Sequence, residues 1–175
     1  MNIDWLINHY QDAIDATKQT AVNPITVLAM GALESGFGKS GLARLHGNYF
    51  GIKGTSPYGS INLPTLEYRN GQYVRVQQPF RVYPGFKESA ADFVRLINTN
   101  TRYVGALQTF DPLSQITAIW RAGYATDPNY VSKLKPIVDQ ANALNVTTNQ
   151  AMHPLTLLII AAGTYFIVKP KKIWA

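Results

Sequence analysis

The stretch that most limits the fold lies near the middle of the chain. In "TLEYRNGQYVRV", residues 65–76, an Asn-Gly pair separates two runs of strand-like residues. Such a pair between strand-like runs is the strongest short-range hairpin signal, and it favours a two-residue turn. A turn at Asn70-Gly71 sets Arg69 against Gln72, Tyr68 against Tyr73 and Glu67 against Val74. Alternation then places Glu67 on one sheet face with Thr65, Val74 and Val76. A third short strand is predicted at "FRVY", residues 80–83.

On both sides of this island the period is helical. Residues 4–20 read as an amphipathic helix with Trp5, Ile7, Tyr10 and Ile14 among its apolar positions. Asn23-Pro24 is an N-cap followed by proline at the first helical position. It opens "PITVLAMGALES", with Ile25, Leu28, Ala29, Ala32 and Leu33 inward. Residues 36–64 are rich in glycine and read as loop. From Phe86 onward, Ala90, Phe93, Val94 and Ile97 fall on one helical face. Asp111-Pro112 and Asp127-Pro128 each read as cap plus proline, opening helices that carry Leu113, Ile116 and Trp120, then Val131, Leu134 and Val138. Pro136 is expected to kink or interrupt the last of these. The predicted fold is mainly α, in the α+β sense, with a small β-hairpin lobe inserted between helices.

The three glutamates differ in setting. Glu88 falls in the first turn of a helix, where the dipole favours it. Glu34 ends an apolar helix, where the dipole opposes a negative charge, and glycine-rich sequence follows it. Glu67 is on the hairpin. Cleaving a glycosidic bond requires a proton for the leaving oxygen, and a carboxyl can hold that proton near neutral pH if apolar burial raises its pKa. A second carboxylate can activate water or stabilise the cationic sugar. Glu34 and Glu67 facing each other across a groove would supply both. The alternatives are a capped, solvated Glu34 and an exposed Glu67 paired with Arg69 or Arg75. Carboxylate spacing, and with it the stereochemical course, is not encoded locally.

Several segments, in order, resemble the family 73 glucosaminidases, a lysozyme-like group of bacterial wall hydrolases that includes the hydrolase half of flagellar rod-assembly proteins. They are "ALESGFGKSGLA", "GNYFGIKG", "TLEY", "FRVYPGFKESAADFVRLI", Arg102-Tyr103 and "AGYATDPNYVSKL", across residues 10–144. The resemblance implies a lysozyme-like helical domain that cleaves the β-1,4 bond after N-acetylglucosamine in peptidoglycan. It implies Glu34 as general acid, Glu67 as second carboxylate and Tyr124 as a phenol beside the reacting sugar. Asn48, Tyr49 and Phe50 would line the groove floor, Tyr68 would contact substrate, and Gly36 with Gly38 would let a sugar chain approach the backbone. Tyr130 reads as structural, and a core tyrosine is the alternative for Tyr124. The same core also suits a lytic transglycosylase or muramidase. A non-catalytic wall-binding particle protein would need neither glutamate.

Charge and composition narrow the partners. The net charge is +6, but 13 basic residues stand against 10 acidic ones before residue 151, and the other three lysines lie in the last seven residues. The basic residues are interspersed with acids, unlike a nucleic-acid stripe. No cofactor is implied; cysteine is absent and His9, His46 and His153 show no ligand spacing, so no metal site is expected. "MNIDWLINHY" has an early aspartate and no basic n-region before an apolar core, so a cleaved leader is not expected. Residues 1–144 are expected as the hydrolase domain and 145–154 as a linker. Residues 155–175 are apolar from Leu155 to Val168, then carry Lys169, Lys171, Lys172 and Trp174. That run is shorter than the roughly 20 residues of a membrane span, and a buried terminal element is the alternative to a membrane-associated tail. The combination suggests a bacteriophage lytic protein, associated with the virion or a membrane.

Overall fold

The computed structural model describes residues 3–69 and 71–151, without the side chains of 67–69 and 145–151. Its elements are α1 (Ile3–Thr17), α2 (Pro24–Ser35), α3 (Gly41–His46), β1 (Ser60–Arg69), β2 (Gln72–Arg81), α4 (Phe86–Thr99), a 3-10 helix (Thr101–Gln108), α5 (Pro112–Arg121) and α6 (Tyr130–Ala151). The compact helical unit ends at Asn142. This is the mainly α, lysozyme-like architecture with one small antiparallel sheet. The apolar tail at 155–175 lies outside the described residues. Among the described residues no helix is long and apolar enough to cross a membrane. The expected linker is helical over its described part, to Ala151.

Helix α2 is the centre of the packing. Every residue from Ile25 to Ala32 is buried, as befits a helix covered on all sides. Asn23 caps it, its side chain accepting from the Ile25 amide at 2.8 Å. Helix α1 packs on α2 and α4, and α5 on the 3-10 helix and α2. On α1 the buried positions are Trp5, Leu6, Ala13 and Thr17; of the apolar positions read in sequence, Trp5 is buried, Tyr10 and Ile14 are half-buried, and Ile7 is 54% exposed. Gly31, inside α2, is where Phe50 and Phe86 press in: a Cβ there would lie 2.8 Å from Phe86 Cε2.

One polar side chain holds three segments of this core together. Gln115 of α5 is fully buried. Its Oε1 accepts from the Asn23 amide at 2.8 Å. Its Nε2 lies at hydrogen-bond distance from the carbonyl oxygens of Ala21, Ala106 and Thr109, at 2.9, 3.1 and 3.0 Å. Burying an amide is costly unless it is bonded in this way.

The hairpin has the register that the Asn-Gly turn dictates, with Arg69 opposite Gln72, Tyr68 opposite Tyr73 and Glu67 opposite Val74. Both strands are edges, so Pro64 and Pro79 are tolerated in them. Residues 80–83 form no third strand. Phe80 and Arg81 simply continue β2, because nothing between Val76 and Phe80 makes a turn, and Lys53 bridges to Phe80. The segment 36–64 is not all loop: Ser40 caps the short α3 by accepting from the Ala43 amide, and β1 begins at Ser60. Helix α6 runs through Pro136 without interruption, and Asp127-Pro128 precedes it in a turn rather than capping it directly.

A carboxylate ties the root of the hairpin to α4. Asp92 accepts from Arg81 Nη1 at 2.5 Å, from the Tyr83 hydroxyl at 2.6 Å and from Arg95 Nε at 3.0 Å. Burial alone would raise its pKa, but the hydrogen bonds from Tyr83, Arg81 and Arg95 and the charge of Arg81 hold it below the usual carboxylate range.

Candidate active site

Glu34 lies in the last turn of α2. Gly36 ends the helix in the left-handed conformation, φ +57°, and its N–H donates to the Leu33 carbonyl. Phe37 and Gly38 keep positive φ as well, +56° and +75°. A phenylalanine in that region is uncommon, and here its surroundings hold it. The Ser35 hydroxyl donates to the Gly31 carbonyl at 2.6 Å and accepts from the Gly38 amide at 2.8 Å. The Phe37 ring meets Trp5 of α1 edge-on, with centroids 6.0 Å apart. The chain after Glu34 thus forms a hook whose far end rests on α1. Gly36 faces open space, as a site of close approach requires. Gly38 does not: a Cβ there would come 2.9 Å from Trp5 Nε1, so its missing side chain makes room for tryptophan rather than sugar.

Glu34 is exposed on one side, as a group that meets an incoming substrate must be. Its other side is walled by aromatic residues. The Tyr130 hydroxyl donates to Glu34 Oε1 at 2.7 Å, and Oε2 has no partner among the described residues. Loss of hydration raises the Glu34 pKa, and the Tyr130 hydrogen bond only partly opposes that rise. The helix C-terminus adds to it, since the dipole disfavours a carboxylate there. The result is a carboxyl held by one oxygen and biased toward its acid form, with the other oxygen unpartnered among the described residues.

Tyr124 stands beside this pair. Its ring centroid lies 6.2 Å from that of Tyr130, 6.4 Å from Tyr103 and 5.8 Å from Phe93. Its hydroxyl donates to the Phe50 carbonyl at 3.3 Å, the long end of the hydrogen-bond range. Desolvation first, and then the charge of Glu34, push the Tyr124 phenol well up, and the same two causes raise Tyr130. Both phenols therefore remain protonated donors. The loop that carries Tyr124 is fixed by Trp120, whose Nε1 donates to the Asp127 carbonyl at 3.0 Å.

The other expected site residues divide. Asn48 is 1% exposed, and both its Nδ2 and its Oδ1 are engaged within the fold. Its Nδ2 donates to the Ile52 and Arg81 carbonyls and its Oδ1 accepts from the Ile52 amide. It shapes the loop at the hairpin root instead of contacting substrate. Phe50 is also a core residue, 4% exposed and stacked on Phe93 at 4.3 Å; only its carbonyl reaches the site. Tyr49 is half-buried and packs against Phe86, His9 and Trp5. For Glu67 and Tyr68 the strand register is described but their side chains lie outside the described residues. Tyr130, read from sequence as structural, is the residue that touches Glu34. No local pattern joins them, since they are 96 positions apart. Among the described residues no three His, Cys, Asp or Glu side chains converge as metal ligands would.

Residues 10–143 match the family described as mannosyl-glycoprotein endo-beta-N-acetylglucosaminidase, the glucosaminidase family. Over 136 residues the chain is 37% identical to the peptidoglycan hydrolase FlgJ of Salmonella typhimurium, an alignment covering 74% of this chain and 43% of that protein. It is 38% identical over 126 residues to a probable N-acetylmuramidase of Lactococcus lactis, covering 68% of this chain and 29% of that one. The fold is similar to the crystal structure of the catalytic domain of the autolysin Auto from Listeria monocytogenes, with a TM-score of 0.69 at 27% identity, covering 81% of this chain and 85% of the other. The chain spans less than half the length of these two curated relatives.

Proposed function

The chain belongs to the glucosaminidase family, and from that premise we propose that it is a peptidoglycan hydrolase cleaving the β-1,4 bond after N-acetylglucosamine. The observation that carries this reading is the state of Glu34: exposed to substrate, raised in pKa, and held by Tyr130 through one oxygen. In this reading the proton on Oε2 passes to the glycosidic oxygen as its bond to the anomeric carbon breaks. A water adds to the anomeric carbon on the other side and loses its proton to the carboxylate of Glu67. The Tyr124 hydroxyl leaves the Phe50 carbonyl, to which it is weakly bonded, and orients the acetamido group of the sugar. Tyr130 is a positioning residue that aims the acid.

Digestion of purified sacculi tests the proposal. Wild-type protein should release fragments with N-acetylglucosamine at the new reducing end, and Glu34→Gln should release almost none while still folding. New muramic reducing ends would instead favour the muramidase reading, which the similarity to a probable N-acetylmuramidase supports. Anhydro-muramic ends would indicate a transglycosylase. Binding to sacculi without release, equal in both proteins, would make the chain a binding module.

The proposal extends to the place of action. Residues 155–175, apolar and then lysine-rich, suit attachment to an anionic lipid surface, as in a phage lytic protein held at a virion or host membrane. Co-sedimentation with anionic vesicles should be lost when the chain ends at residue 154. Equal sedimentation of both forms would remove this part of the proposal.

A further inference from the structure

The tyrosine row beside Glu34 ends in a cation that the reaction does not use. Arg102 follows Asn100, which caps the 3-10 helix by accepting from the Arg102 amide at 3.1 Å. The guanidinium carbon lies 5.5 Å from the centroid of the Tyr103 ring, and Tyr103 is the neighbour of Tyr124. Gly123, the residue before Tyr124, leaves space for it: a Cβ at 123 would lie 2.8 Å from Arg102 Nη2. Arg102 is exposed, and its guanidinium has no hydrogen-bonded or ion-paired partner among the described residues. The more buried guanidinium of Arg81, by contrast, is spent on Asp92. Arg102 is thus oriented by a ring and by a glycine, yet carries an unmatched charge with five donors suited to a planar anion.

Resting on the proposed function, we infer that Arg102 is a binding residue for a carboxylate carried by the muramyl sugar of the substrate. N-acetylglucosamine has no charge, so in peptidoglycan the anionic groups nearest the glycan backbone are on the muramyl substituent. These are the lactyl carboxylate when it is free and the stem-peptide carboxylates when it is not. The guanidinium lies against Tyr103 and Gly123, while Glu34 is bonded to Tyr130, so it addresses a neighbouring substituent and takes no part in proton transfer. It makes the enzyme select glycan that carries these acids over uncharged N-acetylglucosamine polymers.

The test compares wild type, Arg102→Gln and Arg102→Lys on three substrates. These are solubilised sacculi with peptides, glycan strands stripped of peptide, and stripped strands whose lactyl carboxylates have been converted to amides. Thermal unfolding of each variant is recorded alongside. The KM of Arg102→Gln is expected to rise about fivefold on a carboxylate-bearing substrate, with kcat nearly unchanged, Arg102→Lys recovering part of the loss, and the gap closing in high salt. On amidated strands the wild-type advantage should shrink to within about twofold, the residue of an exposed pair's small energy. A rise confined to peptide-bearing sacculi identifies the stem carboxylates, and one shared by stripped strands identifies the lactyl group. Equal KM values for wild type and Arg102→Gln on all three overturn the inference. So does an equal loss on amidated and acidic strands, which would mean that Arg102 merely supports Tyr103. If wild-type protein cleaves none of the substrates, it is the proposed function that fails.

Discussion

Two carboxyl groups in this molecule each receive a tyrosine hydroxyl at nearly the same distance, Tyr130 to Glu34 at 2.7 Å and Tyr83 to Asp92 at 2.6 Å. Their pKa values nonetheless move in opposite directions. Burial raises both. At Asp92 the Tyr83 hydrogen bond and two guanidinium groups together overturn it, and the group stays ionised as a clamp between β2 and α4. At Glu34 no cation among the described residues binds, the helix terminus opposes charge, and a single phenol is too little to restore the usual value. A tyrosine contact therefore does not by itself set protonation; at Asp92 the hydrogen bonds of Tyr83, Arg81 and Arg95 together outweigh burial, and at Glu34 one phenol does not. The same molecule uses one pattern to hold itself together; under the proposed function the other keeps a proton available.

The largest effect expected is at the reaction. Glu34→Gln should lower kcat on sacculi by about 10³-fold, the range for loss of a general acid, with an unchanged circular dichroism spectrum. The mirror experiment is Asp92→Asn, which leaves Arg81 partly buried without its countercharge. It should cost about 2–3 kcal/mol in denaturant unfolding while activity per folded molecule stays near wild type. A large activity loss at Asp92, or a large stability loss at Glu34, would erase the distinction between the two carboxyls.

Smaller effects sharpen it. Tyr130→Phe removes the one interaction that lowers the Glu34 pKa, so that pKa should rise. The alkaline limb of the pH–rate profile, where the acid is lost, should move to higher pH by up to about one unit. A shift to lower pH would contradict the geometry. Stability against pH separates the pair as well. Asp92 has a depressed pKa, so its contribution is present above the unfolded value and disappears as pH falls through the folded one. Asp92→Asn should flatten the acid side of the stability curve. The raised Glu34 pKa has the reverse sign. The folded state prefers the protonated group, so Glu34→Gln should add at most about 0.5 kcal/mol at neutral pH, a gain that vanishes below the unfolded carboxyl pKa.

What could be read from sequence follows the range of the forces involved. The hairpin register, the Asn23 cap of α2 and the Asp111 cap of α5 rest on contacts within a few residues, and all were legible. The apolar face of α4 was equally clear, with Phe93, Val94 and Ile97 buried. The Tyr130–Glu34 bond joins the start of α6 to the end of α2, and nothing short of the assembled fold reveals it. Asn48 and Phe50 fell in the right loop, but polarity and aromaticity do not say whether a side chain turns outward to a ligand or inward to bond the backbone and fill the core. Gln115 was missed for the same reason: on an otherwise apolar helix face, a glutamine gives no sign that four main-chain groups converge on it. The strand expected at "FRVY" failed because pattern alone does not fix where a strand stops.

The hook after Glu34 has a practical consequence for anyone handling the protein. Because Phe37 rests on Trp5, the first helix acts as a splint for the segment that follows Glu34. Under the proposed function, fusion tags, proteolytic trimming or crowding at the amino terminus are therefore expected to blunt catalysis through this support.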